Sequence, residues 1–306
     1  MKFDLHMHSD ASSDGQLATA ELAAMAHEKG LEVIALSDHD SVENVLSMQE
    51  EAGKYGIGVI PALEITTSMG DQDVHLLGYG IDLNDPWINS LPEQARQSMD
   101  NAFSKRVKKL EDKYGLTLDE KAIREKAGDK NPWFTLIDDI LAMPQAKEIA
   151  DFQDYLPGGR RSSPAPVNFF WDRCQPGSDL FVKAEHPDLK DAIRKVHKAG
   201  GLAIIAHPYR TFYKQDALLE ELIEAGVDGL EVYSNYHSPE QTKWYKAFAQ
   251  NHGLLMSCGS DFHGEKKPDI EMGDYHMTED GTPYLKALLE ALQKNGCDVP
   301  VRPESL

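Results

Sequence analysis

Residues Asp4–Gly15 read DLHMHSDASSDG, stand almost at the start of the 306-residue chain, and carry the strongest indication of its fold. Residues 2–6 have the composition of a β-strand. Side chains two positions apart on a strand face the same side, so the imidazoles of His6 and His8 can converge on one point. Taken alone, a His-x-His pair is weak evidence for a binding site. Its meaning depends on what stands at the ends of the other strands.

Outward from this segment, short β-rich runs alternate with amphipathic helical stretches, both early and late in the chain. Alternation of this kind favours an α/β fold with a parallel sheet or barrel. The predicted strands are Lys2–His6, Val33–Ser37, Val59–Ile65, Val74–Tyr79, Leu202–Ala206, Gly229–Tyr233 and Leu254–Gly259. The predicted helices around them are Thr19–Lys29, Ser41–Tyr55, Asp188–Ala199, Gln215–Ala225, Pro239–Asn251 and Pro283–Lys294.

The middle third of the chain breaks this rhythm. Ser90–Tyr114 predicts one long charged helix, and Thr117-Leu-Asp-Glu120 is a capping box that predicts the start of another. Tyr155–Phe181 is rich in Gly, Pro, Ser and Arg, which indicates an irregular loop. We therefore predict a barrel from residues 1–84 and 188–306, with residues 85–187 as a mainly helical insertion that shapes the substrate site.

Histidine and carboxylate residues recur where the predicted strands end. In a parallel barrel these ends all face one side, where active sites are built. Imidazole nitrogen and carboxylate oxygen without thiolate are the ligands expected for Mn, Fe or Zn, and a multinuclear site with open positions is catalytic. The residues concerned are His6, His8, His39, Glu64, His75, His207, Asp261 and His263.

Charge and cysteine content narrow the possible partners. The formal net charge of −20 works against binding of long nucleic acids or anionic membranes. A small anionic substrate is still possible, because bound divalent ions would make the site locally positive. Cys174, Cys258 and Cys297 are odd in number and far apart, which argues against disulfides and zinc–thiolate sites and indicates a reducing cytoplasm. The oligomeric state is not predictable from these features.

The segments DLHMHSDASSDG, SDHD, ALE, HLLGYG, IIAHP, GLEV and GSDFH together resemble the motif series of the PHP (polymerase and histidinol phosphatase) family, and in particular its stand-alone phosphoesterases. The resemblance covers about residues 1–80 and 188–275 in the family's order and spacing. It implies a distorted (β/α)7 barrel and a phosphoesterase with two to three divalent ions, Mn, Fe or Zn.

Carried over motif by motif, the resemblance implies three metal positions. His6, His8, Glu64 and Asp261 would surround one ion, and Glu64 would bridge to a second ion held by His75 and His207. Asp14, His39 and His263 would hold the third. The first loop is one residue longer than is usual in the family, so Asp10 is a rival to Asp14, which we favour because it directly precedes Gly15.

The expected reaction is attack on phosphorus by a metal-activated hydroxide, with His207 or His263 as the proton donor to the leaving group. Arg210 follows the ligand His207 by three residues and is expected to bind the phosphoryl group, since a guanidinium matches phosphate oxygens. Arg160 and Arg161 either reach the substrate from the insertion or belong to a solvated loop.

The substrate is predicted only by class: a small phosphorylated metabolite or nucleotide, cleaved at a phosphomonoester or cyclic phosphodiester bond. Tyr209, Trp133 and Tyr236 would either stack on a base or lie in the core or rim. The Thr-Arg-x-His stretch of nucleotide-cleaving relatives is absent, and Asn131-Pro-Trp-Phe134 stands near its place. This departure puts a nucleoside bisphosphate in doubt and leaves room for a phosphorylated or cyclic-phosphate sugar.

Two other functions compete with this prediction. An amidohydrolase-like deacylase would also open with His-x-His, but such enzymes generally bridge their metals with a carboxylated lysine, and no lysine stands at these strand ends. A non-catalytic, metal-stabilised nucleotide-binding module would be expected to have lost several ligands, whereas this chain fills every position of the motif series.

Overall fold

The computed structural model describes residues 1–128, 131–175, 177–209 and 211–300. Two compact units are present: Met1–Ala95 together with the chain from His186 onward, and Arg96–Glu185. The strands are β1 Phe3–Met7, β2 Val33–Leu36, β3 Gly58–Met69, β4 Gln72–Tyr79, β5 Leu202–Ile205, β6 Gly229–Ser234 and β7 Leu255–Gly259. The helices are α1 Thr19–Glu28, α2 Val45–Gly53, α3 Leu91–Tyr114, α4 Glu120–Ala127, α5 Pro132–Ala142, α6 Ala165–Arg173, α7 Leu189–Lys198, α8 Asp216–Glu224, α9 Pro239–His252 and α10 Thr282–Lys294.

The seven strands of the first unit form one sheet in sequence order, from β1 to β7. The sheet closes on itself where the amide of Asp261 donates to the carbonyl oxygen of His6 at 2.8 Å and the amide of His8 donates to that of Phe262 at 2.9 Å. This is a distorted (β/α)7 barrel, as the sequence predicts. Its strand ends therefore form a ring on which side chains from distant parts of the chain can meet.

One strand departs from the all-parallel arrangement. β4 pairs antiparallel with both β3 and β5, whereas the other neighbouring strands pair in parallel. β3 runs to Met69, beyond the predicted end at Ile65, and Gly70, with a φ of +61°, turns the chain directly into β4. So short a connection permits only a hairpin, because a parallel crossover needs a dozen or more residues. The hairpin places His75 opposite Thr66, two residues beyond Glu64.

Apolar packing on both faces of the strands holds the barrel rigid. All five residues of β1 are buried, and Leu5 packs in the main core with side chains of β3, β4 and the helices α7, α9 and α10. Met7 packs in a second cluster with α1 and α2. Each fully buried leucine or methionine of this kind contributes about 1.5–3 kcal/mol. The strand ends that carry the polar motifs are thus fixed to a well-packed frame.

The second unit is mainly helical and has its own core, in which α3, α4, α5 and α6 pack together. Two predictions in this region are wrong. Tyr155–Phe181 contains the helix α6, because Pro166 stands in its first turn, where proline is tolerated, and Phe169 is fully buried. Asp119, and not Thr117, caps α4 by accepting from the amide of Ala122.

None of the helices in the part of the chain that the structure describes has both the length and the apolar character needed to cross a membrane.

Candidate metal centre

The barrel brings together every residue to which the sequence assigns a metal-ligand role. Their ligand atoms form overlapping groups, and within each group these atoms lie within 4.8 Å of one another. The groups are His6, His8, Glu64 and Asp261; His8, Asp14, His39 and His263; and His39, Glu64 and His75. His207 adjoins the third group, with its Nε2 at 2.8 Å from Oε1 of Glu64.

Glu64 stands at the centre of this cluster and is fully buried. Its Oε1 lies 2.9 Å from Nδ1 of His75 and 2.8 Å from Nε2 of His207. Its Oε2 lies 3.1 Å from Nε2 of His6 and 3.2 Å from Nε2 of His8. The two carboxylate oxygens thus face different histidine pairs, which is the geometry required of a bridge between two ions.

Close backbone approaches position these side chains. A Cβ at Gly259 would lie 2.3 Å from the Cβ of His6, so only glycine allows β7 to pass the first histidine. His207 and Asp261 have positive φ values of 23° and 57°. Strain of this kind in non-glycine residues concentrates at functional sites, where it aims side chains that a regular strand would direct elsewhere.

The loop after β1 presents Asp14 and not Asp10. Oδ2 of Asp14 lies 3.2 Å from Nε2 of His263 and 3.7 Å from that of His39. Asp10 instead accepts a hydrogen bond from the side chain of Asn44 at 2.8 Å. The loop can fold this tightly because Gly15 has no Cβ. A Cβ at this position would lie only 1.6 Å from the carbonyl oxygen of Ser9.

The charges of the cluster are mutually dependent. Burial disfavours the charged form of His8, but the close contacts with the carboxylates of Asp261 and Glu64 outweigh it and raise the His8 pKa to about 9. Burial also works against the ionised carboxyl of Glu64, yet the charge of the facing histidines holds its pKa well below the usual range. Burial lowers the pKa of His39 to about 3, so its imidazole is neutral. Metal binding releases the protons of the charged imidazoles, and the carboxylates and deprotonated imidazoles then form a donor set suited to divalent cations.

Several atoms of the cluster are buried without a hydrogen-bond partner among the described residues. They are Nε2 of His8, Nδ1 of His39, Nε2 of His263 and Oδ1 of Asp261. Buried polar atoms are nearly always satisfied in native proteins, and exceptions point to an unseen ion or water. These atoms converge on the cluster, so divalent ions fit the residues present.

A pocket of about 290 Å³ opens beside the cluster. Glu64, His75 and His207 lie on its metal side, and His263 is fully buried and does not line it. The lining also includes Tyr209 and Tyr236, whose rings stack at a centroid distance of 5.2 Å. A ligand in this pocket would therefore contact both the cluster and an aromatic surface.

The PHP domain matches residues 4–296. The chain belongs to the PHP family. A 5'-3' exoribonuclease of Haemophilus influenzae is 33% identical to this PHP protein over 267 residues, covering 86% of this chain and 90% of the other. A 3',5'-nucleoside bisphosphate phosphatase of Chromobacterium violaceum is 29% identical, covering 95% and 96%. A solved structure assigned as a metal-dependent phosphoesterase from Bifidobacterium adolescentis matches with a TM-score of 0.67 at 26% identity, covering 94% and 96%.

Family membership and these relatives settle the reaction class. This PHP protein is a metal-binding hydrolase that acts on phosphoester bonds. The resemblance predicted from its motifs is confirmed, and the deacylase and the non-catalytic binding module are set aside. The assignment of individual ligands to ions stays a prediction, which the geometry above supports.

Glu231 is a residue of the PHP centre to which sequence reasoning gave no role. It is fully buried on β6, and its Oε1 lies 2.9 Å from Nδ1 of His6. Its Oε2 accepts from the backbone amide of His207 at 2.7 Å. Glu231 therefore orients two proposed ligands at once, as carboxylates behind metal-bound histidines generally do. The GLEV segment, which contains Glu231 and begins β6, was the available signal.

Asp4, Asp38 and Asp40 flank the motif histidines, and the sequence alone leaves open whether they orient these histidines or cap strand ends. Asp4 accepts from the amide of Ser260 at 2.9 Å, and Asp38 accepts from that of Ser9 at 2.6 Å. Asp40 accepts from the amide of Thr66 at 2.9 Å. These partners are backbone amides of the segments that carry the proposed ligands, in the loops after β1 and β7 and in β3, so the three aspartates anchor these segments.

The predicted substrate-binding residues have different outcomes. Arg210 lies outside the described residues. Arg160 and Arg161 make paired hydrogen bonds to Asp154 and Asp172, at distances of 2.8–3.2 Å. A contact of these two arginines with substrate stays a prediction, as does proton donation by His207 or His263. Trp133 is buried in the core of the helical unit, where its indole donates to the carbonyl oxygen of Pro166. Of the two alternatives for Trp133, the core position is therefore correct and the prediction that it stacks on a base is wrong.

We expect Asp14→Asn to lower kcat/KM at least 10- to 100-fold and to reduce the metal content. An amide is a poorer metal ligand, and even residues behind the ligands typically contribute this much. The matched variant Asp10→Asn should stay within about threefold of wild type. Steady-state phosphate release with metal analysis of the same preparations decides between the two aspartates, and a reversed order would make Asp10 the ligand.

Glu231→Gln should weaken divalent metal binding 10- to 100-fold while the fold is kept. The amide preserves the shape of the side chain, but in either orientation it loses one of the two acceptors used by His6 and His207. Metal affinity is measured by competition with a chromogenic chelator. Glu279→Gln is the control, because Glu279 bonds to Lys246 and Tyr233. Equal affinities for the two variants would remove the orienting role.

Proposed function

We propose that this PHP enzyme hydrolyses a phosphate ester of a nucleotide-sized molecule at a centre of two to three divalent ions, Mn, Fe or Zn. The observation that carries this proposal is the placement of Glu64. Its two oxygens face different histidine pairs, and the pocket of about 290 Å³ opens directly on it. A phosphate placed there would contact the ions and leave the rest of the molecule in the pocket.

The residues of the centre would have separate roles in metal binding, ligand orientation and contact with the substrate. The histidines, Asp14, Glu64 and Asp261 hold the ions, and Glu231 keeps His6 and His207 in place. The bound ions would supply a nucleophilic water at neutral pH and neutralise charge on the phosphoryl oxygens. Burial of Glu64 and Asp261 keeps bulk water away from the carboxylates, which strengthens their electrostatic interactions. His207 lines the pocket and is better placed than the buried His263 to meet a leaving group.

Size and charge favour a small substrate over a long RNA. A pocket of about 290 Å³ lies at the lower end of the range for small-molecule sites. The net charge of −20 opposes the long-range attraction that an RNA chain requires. The names of the two relatives concern a nucleoside bisphosphate and RNA, and the aromatic side of the pocket suits a base. We propose the cytoplasm as the compartment, where Cys174, Cys258 and Cys297 would remain free thiols.

Phosphate release from a panel of substrates with Mn tests this function. The panel contains a 5'-mononucleotide, a nucleoside 3',5'-bisphosphate, a sugar phosphate, a cyclic phosphodiester and a 5'-phosphorylated oligoribonucleotide. We expect the highest kcat/KM on one of the two mononucleotides. A preference for the oligoribonucleotide that grows with its length would contradict the small-substrate proposal, and a preference for the sugar phosphate would contradict the nucleotide.

Arg210→Ala should lower kcat/KM roughly 10- to 150-fold without changing the metal content. A hydrogen bond that involves a charged group contributes on the order of 1.5–3 kcal/mol, and each 1.36 kcal/mol is tenfold in rate. A loss mainly in kcat would indicate a contact formed in the transition state, and a loss mainly in KM one formed equally in the ground state. If Arg210 belongs only to the surface, kcat/KM would change less than about threefold.

A further inference from the structure

Lys267 has a position that the functions assigned above leave unexplained. It follows the short turn Gly264–Lys266 after β7, and its Nζ donates to Oδ2 of Asp261 at 2.7 Å. The same Nζ donates to the hydroxyl of Tyr236 at 2.9 Å, and Tyr236 in turn donates to Oδ2 of Asp261. Among the described residues that line the pocket, Lys267 is the only lysine or arginine.

Asp261 uses its two oxygens for different purposes. Oδ1 faces the imidazoles of His6 and His8, at 3.2 and 3.0 Å, and is one of the buried atoms without a hydrogen-bond partner. Oδ2 faces away from them and accepts hydrogen bonds from both Lys267 and Tyr236. The metal-facing oxygen and the lysine-facing oxygen belong to one carboxylate, so the ammonium lies within a few ångströms of the cluster.

The ammonium has capacity for a ligand. Lysine carries three donors, of which Asp261 and Tyr236 use two within the described chain. The side chain is 33% exposed, whereas Asp261 beneath it is 2% exposed. Together with bound divalent ions, the charge of Lys267 would make this side of the pocket positive and favour an anionic ligand. A phosphate oxygen in the pocket would provide that anion and accept the third N–H.

The loop that carries Lys267 is fixed to the barrel. The amide of Glu265 donates to the side-chain oxygen of Gln16 at 2.8 Å, which ties this loop to the loop after β1. The amide of Lys267 donates to the carbonyl oxygen of Gly264 at 3.2 Å. The ring of Tyr236 stacks on that of Tyr209 at a centroid distance of 5.2 Å, and Nζ of Lys267 lies 5.6 Å from the centroid of Tyr236. The lysine is thus held in place before any ligand arrives.

We propose that Lys267, supported by Tyr236, is a phosphate-binding residue of this enzyme and takes an oxygen of the phosphate group held at the metal centre. This inference rests on the proposed function. The competing explanation is that Lys267 only neutralises and orients Asp261. The two differ in a measurable way, because a lysine that acts only on Asp261 would change metal affinity and affect phosphate binding only through the metal.

The test uses calorimetric titration of inorganic phosphate into full-length, Mn-loaded protein, with metal analysis of each preparation. Lys267→Met removes the charge at nearly constant length, and Lys267→Arg restores it. Lys266→Met is the matched control, since Lys266 is exposed and adjacent. We expect Lys267→Met to weaken phosphate binding about 10- to 100-fold with unchanged metal content, Lys267→Arg to recover most of it, and Lys266→Met to stay within about twofold.

A phosphate Kd within twofold of wild type for Lys267→Met would overturn the proposal. So would a weaker Kd that merely follows a loss of bound Mn and returns when Mn is added. Failure of the proposed function would look different: wild-type protein would bind phosphate through Lys267 yet release none from the substrate panel.

Discussion

Glu64→Gln is expected to abolish most phosphoesterase activity, with a fall in kcat/KM of roughly 10²- to 10⁴-fold. Glu64 is fully buried, and its oxygens face the imidazoles of His6, His8, His75 and His207. A neutral amide cannot hold two cations as a carboxylate can. Substitution of a residue behind a metal ligand typically lowers activity 10- to 100-fold, and loss of a ligand shared by two ions should lower it further.

The barrel should survive this substitution, because its core does not depend on one polar side chain. Circular dichroism and the thermal midpoint of the metal-free variant check this point. Glu43→Gln is the matched control, since Glu43 is exposed, and its kcat/KM should stay within about twofold of wild type. Near wild-type phosphate release by Glu64→Gln would show that Glu64 does not bridge the ions.

Removal of the metals by a chelator should reduce phosphate release to below about 1% of the starting rate, and Mn should restore it. Bound ions also stabilise the fold, by about 2.7 kcal/mol for one site at a ligand concentration 100 times its Kd. For a chain of this size we expect the thermal midpoint to fall by roughly 5–10 °C. Differential scanning calorimetry and a phosphate-release assay on the same samples measure both effects.

The dependence of metal binding on pH gives this experiment an internal control. In the metal-free protein the His8 pKa is raised to about 9, so a metal ion must displace a proton from His8 below that pH. Apparent metal affinity should therefore rise with pH and level off above about 9. The stability that protonated His8 gives the metal-free protein should be lost over the same range as the pH rises. Metal affinity that falls with rising pH in this range would contradict the proposed role of His8.

Local sequence patterns predicted most of the fold. The alternation of strands and helices identified every strand of the barrel, because each is apolar and bounded by turn residues. The reversal of β4 was not predicted, since its direction depends on the length of the Gly70 turn rather than on the composition of either strand. The helix α6 was missed because the Gly, Pro, Ser and Arg content of Tyr155–Phe181 indicated a loop, although proline is tolerated in the first turn of a helix.

The residues of the site also fall into those that the sequence predicts and those that it does not. Histidines at strand ends are visible in the sequence because their spacing is local, and the structure brings them together as expected. The roles proposed for Glu231 and Lys267 depend on partners that are distant in the chain: His6 lies 225 residues from Glu231. Tyr236 lies 31 residues from Lys267. The first contact requires the barrel to close and bring β1 beside β7, and the second requires β6 and β7 to pair side by side.

The most direct test of the metal-centre account is elemental analysis of active protein purified without chelator, with phosphate release measured on the same sample. The account predicts two to three transition-metal ions per chain and a rate that rises in proportion to metal content. Fewer than one ion per chain in a fully active preparation would contradict it.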